Sequence, residues 1–118
     1  MDPEARERLT HVRDAARTII GWTASSDFGE YESDSLSSSA CEYQLVIVGE
    51  ALFRAFVAEP KLANDVSQGR AALAFCRKVT SDPWSLTDQE VWLFIRSQLP
   101  GLLSEVERLL QRPDSEVS

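Results

Sequence analysis

The carboxylate of Glu50 lies inside the longest proline-free apolar stretch of the chain, Leu36 to Val57. An ionised carboxylate is costly in the interior of a helical protein unless it is paired or hydrogen-bonded. Two partners are open: Arg54, one helical turn further on, would hold Glu50 at the margin of the fold, whereas Arg77 would pair with it from another helix. Glu50 therefore fits either a structural role or a role in a site.

The other residues that carry general chemistry are few. The single histidine, His11, flanks an apolar helical stripe, where a histidine is more often a boundary residue than a catalyst or a ligand. Cys41 and Cys76 lie in apolar helical contexts, so we expect both to be reduced core residues. The sequence has no Cys/His cluster for zinc, no glycine-rich phosphate loop and no nucleophile elbow. We expect no metal ion and no cofactor.

Length and charge limit the class of protein. The 118 residues fit a single domain, which we place at 1–112 with a frayed tail at 113–118. The formal net charge of −7 disfavours electrostatic binding of nucleic acid over a broad surface. No charge-free apolar run is long enough for a membrane span, and the N-terminus lacks the apolar region of a signal peptide. We expect a cytoplasmic protein with no membrane or DNA partner.

Helix signals divide the first half of the chain into two helices and a connector. Asp2 and Pro3 favour a helix start, and the apolar stripe that follows predicts a helix to about Trp22. Residues 24–39 are polar and predict a connector with two capping sites and at most a short turn around 28–32. The central helix, at Leu36 to Val57, should stop before Pro60.

The second half contains the remaining two helices. A third helix is predicted from Arg70 to about Thr80, after a second connector at 61–69. A turn at 81–86 leads into a capping box, Thr87 to Glu90, that opens the last helix. Pro100 should kink or restart that helix.

These elements predict an all-α fold, an antiparallel bundle of four main helices, the last kinked at Pro100, plus a short connector helix or turn. The central helix has apolar residues on two faces, so we expect both faces to be buried against other helices. One face carries Leu45, Val48, Leu52 and Phe56, and the other carries Tyr43, Ile47 and Ala51. Because one neighbour cannot cover so much apolar surface, we expect a homodimer through the central and third helices.

Several landmarks of the sequence occur in an order that resembles a known family. The central helix has Ala40, then Gln44-Leu45 and Ile47, then Gly49-Glu50-Ala51; Pro60, Arg77, Val91-Trp92 and Leu99-Pro100 follow. Over roughly residues 9 to 110 this series resembles the HepT-like branch of the HEPN domains, small helical bacterial toxins partnered with minimal nucleotidyltransferases. The resemblance implies a HEPN-like fold, a homodimer and a nucleotidyltransferase antitoxin as partner.

The sequence departs from this family at the residues that carry the family's catalysis and modification. In the family, an Arg-Asn pair is followed by a His five residues after the Arg and by a Tyr two residues later. Arg77 keeps the first place, but Lys78 replaces Asn, Asp82 replaces His and Trp84 replaces Tyr. The resemblance therefore implies a degenerate motif in which Arg77, Asp82 and the neighbouring Glu50 are the candidate catalytic residues.

Metal-independent RNA cleavage needs a group of near-neutral pKa to move the 2′-hydroxyl proton and a cation to stabilise charge on the phosphate. Arg77 could supply the cation. Asp82 is a poor base, because its ordinary pKa of about 3.9 is low and its negative charge repels the phosphate. The family's Tyr accepts nucleotidyl groups from the partner, and Trp84 in its place has no hydroxyl to modify.

Three functions follow from these observations. The first, which we favour, is a non-catalytic HEPN-type module of toxin–antitoxin type that dimerises and binds a nucleotidyltransferase. The second is an active metal-independent ribonuclease with a site rebuilt from Arg77, Lys78, Asp82 or Glu50, the only case with an RNA partner. The third is an unrelated helical bundle.

Overall fold

A computed structural model describes residues 1–113, which form seven α-helices and one short 3-10 turn and contain no β-strand. The helices are α1 (Pro3–Thr23), α2 (Phe28–Ser33), α3 (Ser35–Ala58), α4 (Leu62–Asp65), α5 (Gly69–Ser81), α6 (Asp88–Ser97) and α7 (Leu99–Gln111), and the 3-10 turn is Pro83–Ser85. The predicted all-α class is confirmed. Of the tail expected at 113–118, residues 114–118 lie outside the described part of the chain.

Four of these helices begin at a residue whose side chain caps the first turn. The Asp2 carboxylate accepts hydrogen bonds from the backbone of residues 4 and 5, and Asp27 and Asp34 cap α2 and α3 in the same way. Thr87 opens α6 with a capping box that is closed by Glu90. Each cap satisfies amides that have no partner inside the helix, so the capping signals read from the sequence set the positions of these helix starts.

The connectors and the last helix refine the expectation. The short connector helix or turn predicted around 28–32 is the helix α2, the second connector contains the unexpected short helix α4, and α3 begins at Ser35. Of the kink and the restart that the sequence left open at Pro100, the structure has the restart, because α6 and α7 are separate helices that meet at Gln98. Because Pro100 has no N–H to donate, it fits the first turn of a new helix. Residues 1–113 thus contain five helices of ten residues or more, where four main helices were expected.

Helix α3 lies at the centre of the fold, packed against α1 on one side and α5 on the other, while α7 packs against α1 and α6. Leu45, Val48 and Leu52 of α3 are completely buried, as predicted. Ala51, which the sequence placed on the opposite face, is buried as well. The stacked rings of Phe75 and Phe94, 4.4 Å apart, join α5 to α6. The arrangement leaves one long side of α3 without a neighbouring helix.

Candidate functional site

A groove of about 260 Å³ runs between α3 and α5 and brings two of the predicted site residues together. It is lined by Gly49, Glu50, Cys76, Arg77, Thr80 and Ser81. Glu50 and Arg77 come from different helices, so the fold places the central-helix signature beside the surviving arginine of the degenerate motif.

The two helices approach closely because residue 49 has no side chain. A Cβ atom built on Gly49 would lie 2.8 Å from the Cβ of Cys76, which is closer than two carbon atoms can pack. Cys76 is itself fully buried at this contact. Burial raises the pKa of the Cys76 thiol to about 12, so it is protonated at neutral pH and does not act as a nucleophile.

Glu50 and Arg77 share the groove but do not form an ion pair. The Glu50 carboxylate lies 3.9 Å from the guanidinium of Arg54, one turn along α3, and both side chains are more than half exposed. The guanidinium of Arg77 lies over the ring of Phe53, 4.1 Å from its centroid. Of the two pairings that the sequence left open, the structure has the one within α3. Phe53 as the contact of Arg77 was not expected from the sequence.

Asp82 and Trp84 do not line the groove. Asp82 is the residue at which α5 ends, and its backbone N–H donates to the carbonyl of Lys78. Trp84 lies in the 3-10 turn that follows, with 92% of its surface exposed. Of the four residues named from the sequence, Arg77 and Glu50 meet at the groove, and the other two lie beyond the end of α5.

A second groove, of about 220 Å³, lies on the other side of Glu50, between α3 and α1. Its lining includes Glu50, Arg54 and Tyr43 from α3 and His11 and Arg8 from α1. The sequence treated His11 as a boundary residue and gave no signal that would place it beside Glu50, since the two are far apart in the chain. No histidine lines the groove that contains Arg77.

The chemistry available at the Arg77 groove is therefore limited. Arg77 offers a cation for an anionic ligand, whereas the hydroxyls of Thr80 and Ser81 donate to the carbonyls of Cys76 and Arg77 within their own helix. A proton transfer at neutral pH needs a group that titrates there, and the lining residues do not include a histidine.

The side of α3 between the two grooves carries exposed and half-buried apolar residues around the ion pair of Glu50 and Arg54. We call this surface the outer stripe of α3, and it comprises Tyr43, Val46, Ile47, Glu50, Phe53, Arg54 and Val57. Tyr43 and Val57 are 65% and 64% exposed. The sequence had identified this face at Tyr43 and Ile47, and the structure extends it over four helical turns to Val57.

Neither metal nor membrane chemistry is indicated in the part of the chain that the structure describes. Within residues 1–113, no three His, Cys, Asp or Glu side chains come together as a metal site would require. None of the described helices combines the length and the apolar character that a membrane crossing demands.

No protein-family model, curated protein or solved structure matches this chain.

Proposed function

We propose that this chain is a catalytically degenerate HEPN-type helical module of toxin–antitoxin type, which forms a homodimer in the cytoplasm and binds a minimal nucleotidyltransferase. The observation that carries the proposal is the outer stripe of α3. The family assignment rests on the order of landmarks in the sequence, above all on Gly49-Glu50-Ala51.

The outer stripe has the composition of an interface. Exposed surfaces of helices are ordinarily polar, yet Tyr43, Phe53 and Val57 are exposed on this side of α3, with Val46 and Ile47 half-buried beside them. The exposed pair of Glu50 and Arg54 lies among these side chains. Exposed apolar side chains grouped with polar ones mark interaction surfaces. A second copy of the chain supplies the same patch, and a twofold axis through the stripe would bury both at once.

The homodimer is tested by sedimentation velocity over about 1 to 100 μM, a range in which an ordinary dimer dissociates. We expect the wild-type chain to sediment as a dimer and Tyr43→Glu to weaken the dimer by about tenfold or more, since a buried aromatic anchor is replaced by a charge. Leu93→Glu is the matched control, because Leu93 is 53% exposed on α6, away from the stripe. A wild-type chain that is monomeric throughout would contradict the proposal.

The loss of catalysis is supported by the surroundings of Arg77. Its guanidinium is engaged by Phe53, Asp82 lies outside the groove, and no histidine lines it. In the HEPN reaction a base must take the 2′-hydroxyl proton, and none of the residues that line the Arg77 groove has the chemistry of an imidazole.

A ribonuclease is the second candidate, and the shared groove of Glu50 and Arg77 favours it. Here Arg77 would hold the phosphate and Glu50 would be the carboxylate that lines the same groove. Purified protein incubated with total RNA tests this candidate, with Arg77→Ala as the control. Cleavage that Arg77→Ala abolishes would establish the ribonuclease and overturn the non-catalytic proposal; equal cleavage by both proteins would indicate a contaminant.

The nucleotidyltransferase partner is tested by co-expression. If the gene beside this one encodes a minimal nucleotidyltransferase, we expect the two proteins to co-purify in a fixed ratio. Because Trp84 has no hydroxyl to accept a nucleotidyl group, we also expect no added nucleotide mass at residue 84 in the intact-mass spectrum of the complex. A neighbouring nucleotidyltransferase that does not co-purify would contradict this part of the proposal.

A further inference from the structure

The residues of the outer stripe are arranged symmetrically along α3 about Glu50. Tyr43 and Val57 lie seven residues, about two helical turns, before and after Glu50. Ile47 lies three residues before Glu50, and Phe53 lies three residues after it. A twofold axis perpendicular to α3 at Glu50 would therefore bring the stripe of one copy onto the same stripe of a second copy, with the two helices antiparallel.

The spacing of the stripe is typical of helices that pair along their length. Steps of three and four residues alternate through Tyr43, Val46, Glu50, Phe53 and Val57, which is the seam of a heptad repeat. Two such seams pack at a shallow angle of about 20°, so the helices stay in contact over several turns. At about 1.5 Å per residue the seam is about 21 Å long, and a second copy of α3 can follow it from end to end.

Side-chain sizes along the stripe favour antiparallel over parallel helices. With the axis at Glu50, Tyr43 would face the partner's Val57, and Ile47 would face the partner's Phe53, so each ring meets an aliphatic side chain. Facing positions of unequal size interdigitate without leaving a void. In a parallel pair the two Tyr43 rings would face each other, and the two Val57 side chains would leave a gap between them.

The charges at the centre of the stripe are complementary to those of a second copy. The Nε atom of Arg54 lies 3.9 Å from Oε2 of Glu50, which is longer than a hydrogen bond, so both groups can still bind a partner. An antiparallel pair would bring the two Glu50 carboxylates together at the axis, where they repel each other unless cations lie beside them. Helical side chains lean towards the N-terminus, so the Arg54 guanidinium of each copy extends towards this axis.

We propose that two copies of this chain pair through antiparallel α3 helices and that the Arg54 guanidinium of each copy donates hydrogen bonds to the partner's Glu50. This inference rests on the homodimer proposed above and adds its register and the two residues that select the partner. Two carboxylates and two guanidiniums then form a neutral network at the axis. The network makes the stripe specific for a second copy, because a different helix would need the same two charges at the same spacing.

Exchanging the two charges tests this pairing, with the dimer measured by sedimentation velocity. We expect Glu50→Arg and Arg54→Glu each to weaken the homodimer by about tenfold or more, because four like charges then meet at the axis. An equimolar mixture of the two variants should form a heterodimer, since each supplies the charge that the other lacks. Glu7→Arg is the matched control, because Glu7 is exposed on α1 outside the stripe and both grooves.

Cysteine cross-linking tests the register. Cys41 and Cys76 are buried, so a short bis-maleimide reports on cysteines introduced at the surface. In a mixture of Tyr43→Cys and Val57→Cys proteins, we expect cross-linked heterodimers. Val57→Cys alone should not cross-link, because antiparallel helices separate the two copies of this position by about 21 Å along the helix. Parallel helices would give the reverse result.

The outcomes separate this inference from the homodimer on which it rests. A wild-type chain that is monomeric contradicts both, and a different protein would then cover the stripe. A wild-type dimer that Tyr43→Glu weakens, but that Glu50→Arg and Arg54→Glu leave unchanged, keeps the homodimer and overturns the pairing. The pairing is also overturned if mixing the two charge variants restores no dimer, and the register is overturned if Val57→Cys cross-links alone. Circular dichroism of each variant shows whether a loss of dimer arises from unfolding.

Discussion

The two long faces of α3 are both apolar, but they meet different surroundings. On the inner face, Leu45, Val48 and Leu52 have no exposed surface at all, because α1 and α5 cover them. On the outer stripe, Tyr43 and Val57 keep about two thirds of their surface in solvent. Folding of a single chain therefore explains why the inner face is apolar, but it does not explain the apolar residues of the outer stripe. The difference separates residues that stabilise the fold from residues that are available to a partner.

The largest expected effect comes from a charge on the inner face. Leu52→Asp places a carboxylate where the side chain is fully buried, and the lost packing and the desolvation together should cost about 4 kcal/mol or more. Chemical denaturation followed by circular dichroism measures this loss. Tyr43→Glu on the outer stripe is the comparison and should change the free energy of unfolding of the monomer by less than about 1 kcal/mol.

Leu45→Asp and Leu52→Asp should lower stability and dimerisation together. The burial of both residues was predicted correctly, but neither reaches the surface of the monomer. Any loss of dimer in these variants would follow from unfolding. If Leu52→Asp proved folded and Tyr43→Glu unfolded, the assignment of the two faces would be reversed.

The sequence predicted those features that depend on neighbouring residues. Helix starts at Asp2, Asp34 and Thr87 follow from capping, which involves the next three residues. The pairing of Glu50 with Arg54 is likewise local, since it spans one helical turn.

Features that depend on how two helices pack against each other could not be predicted from the sequence. The approach of Arg77 to Phe53 and the position of His11 beside Glu50 depend on the rotation of one helix against another. Within residues 1–113 the buried hydroxyl of Tyr31 has no hydrogen-bond partner, and this depends on how α1, α2 and α3 pack around it. Spacing along the chain carries no information about these distances, and the sequence predicted α2 only as a short turn or helix within a connector.

The next largest effect on stability should come from Gly49→Ala, which adds a methyl group at the close contact between α3 and α5. Gly49→Ala forces a Cβ to within 2.8 Å of the Cys76 Cβ, and overpacking typically costs about 1–3 kcal/mol, against a gain of up to about 1 kcal/mol from helix propensity. We expect a net loss of about 1–2 kcal/mol in the free energy of unfolding.

Gly21→Ala is the matched control for Gly49→Ala. Gly21 lies on α1, and among residues 1–113 no atom beyond its chain neighbours and its own helical backbone lies within 4 Å of an added Cβ. Only the gain in helix propensity then applies, and thermal unfolding should show a small stabilisation. If both variants were stabilised alike, α3 and α5 would be less tightly packed than the structure indicates.

A smaller effect is expected where the outer stripe meets the Arg77 groove. Phe53→Leu removes the ring that lies 4.1 Å from the Arg77 guanidinium, and an exposed cation–π contact contributes about 0.5–1 kcal/mol. A double-mutant cycle with Arg77→Gln measures this coupling by denaturation. A coupling energy of zero would show that the contact is incidental, and Arg77 would then be available to bind an anion.

The smallest effect concerns Glu42, which lies between the buried Cys41 and the exposed Tyr43 at the boundary of the two faces. Partial burial, and then the charge of Asp88, raises the pKa of Glu42. The folded state therefore binds this proton more tightly than the unfolded state does, so the ionised form destabilises the fold. That penalty is complete above the raised pKa and disappears as pH falls below the ordinary value of a glutamate.

Glu42→Gln should consequently stabilise the protein by a few tenths of a kcal/mol, about 0.5 at most, at pH 7. The difference from wild type should vanish at about pH 3, where both states of the wild type are protonated. Denaturation at a series of pH values measures it, and an NMR titration of Glu42 in Asp88→Asn should show its pKa moving down. A stabilisation that persists unchanged at low pH would mean that the glutamine acts through packing and not through the lost charge. Glu42 would then belong to the buried face of α3 and not to its boundary.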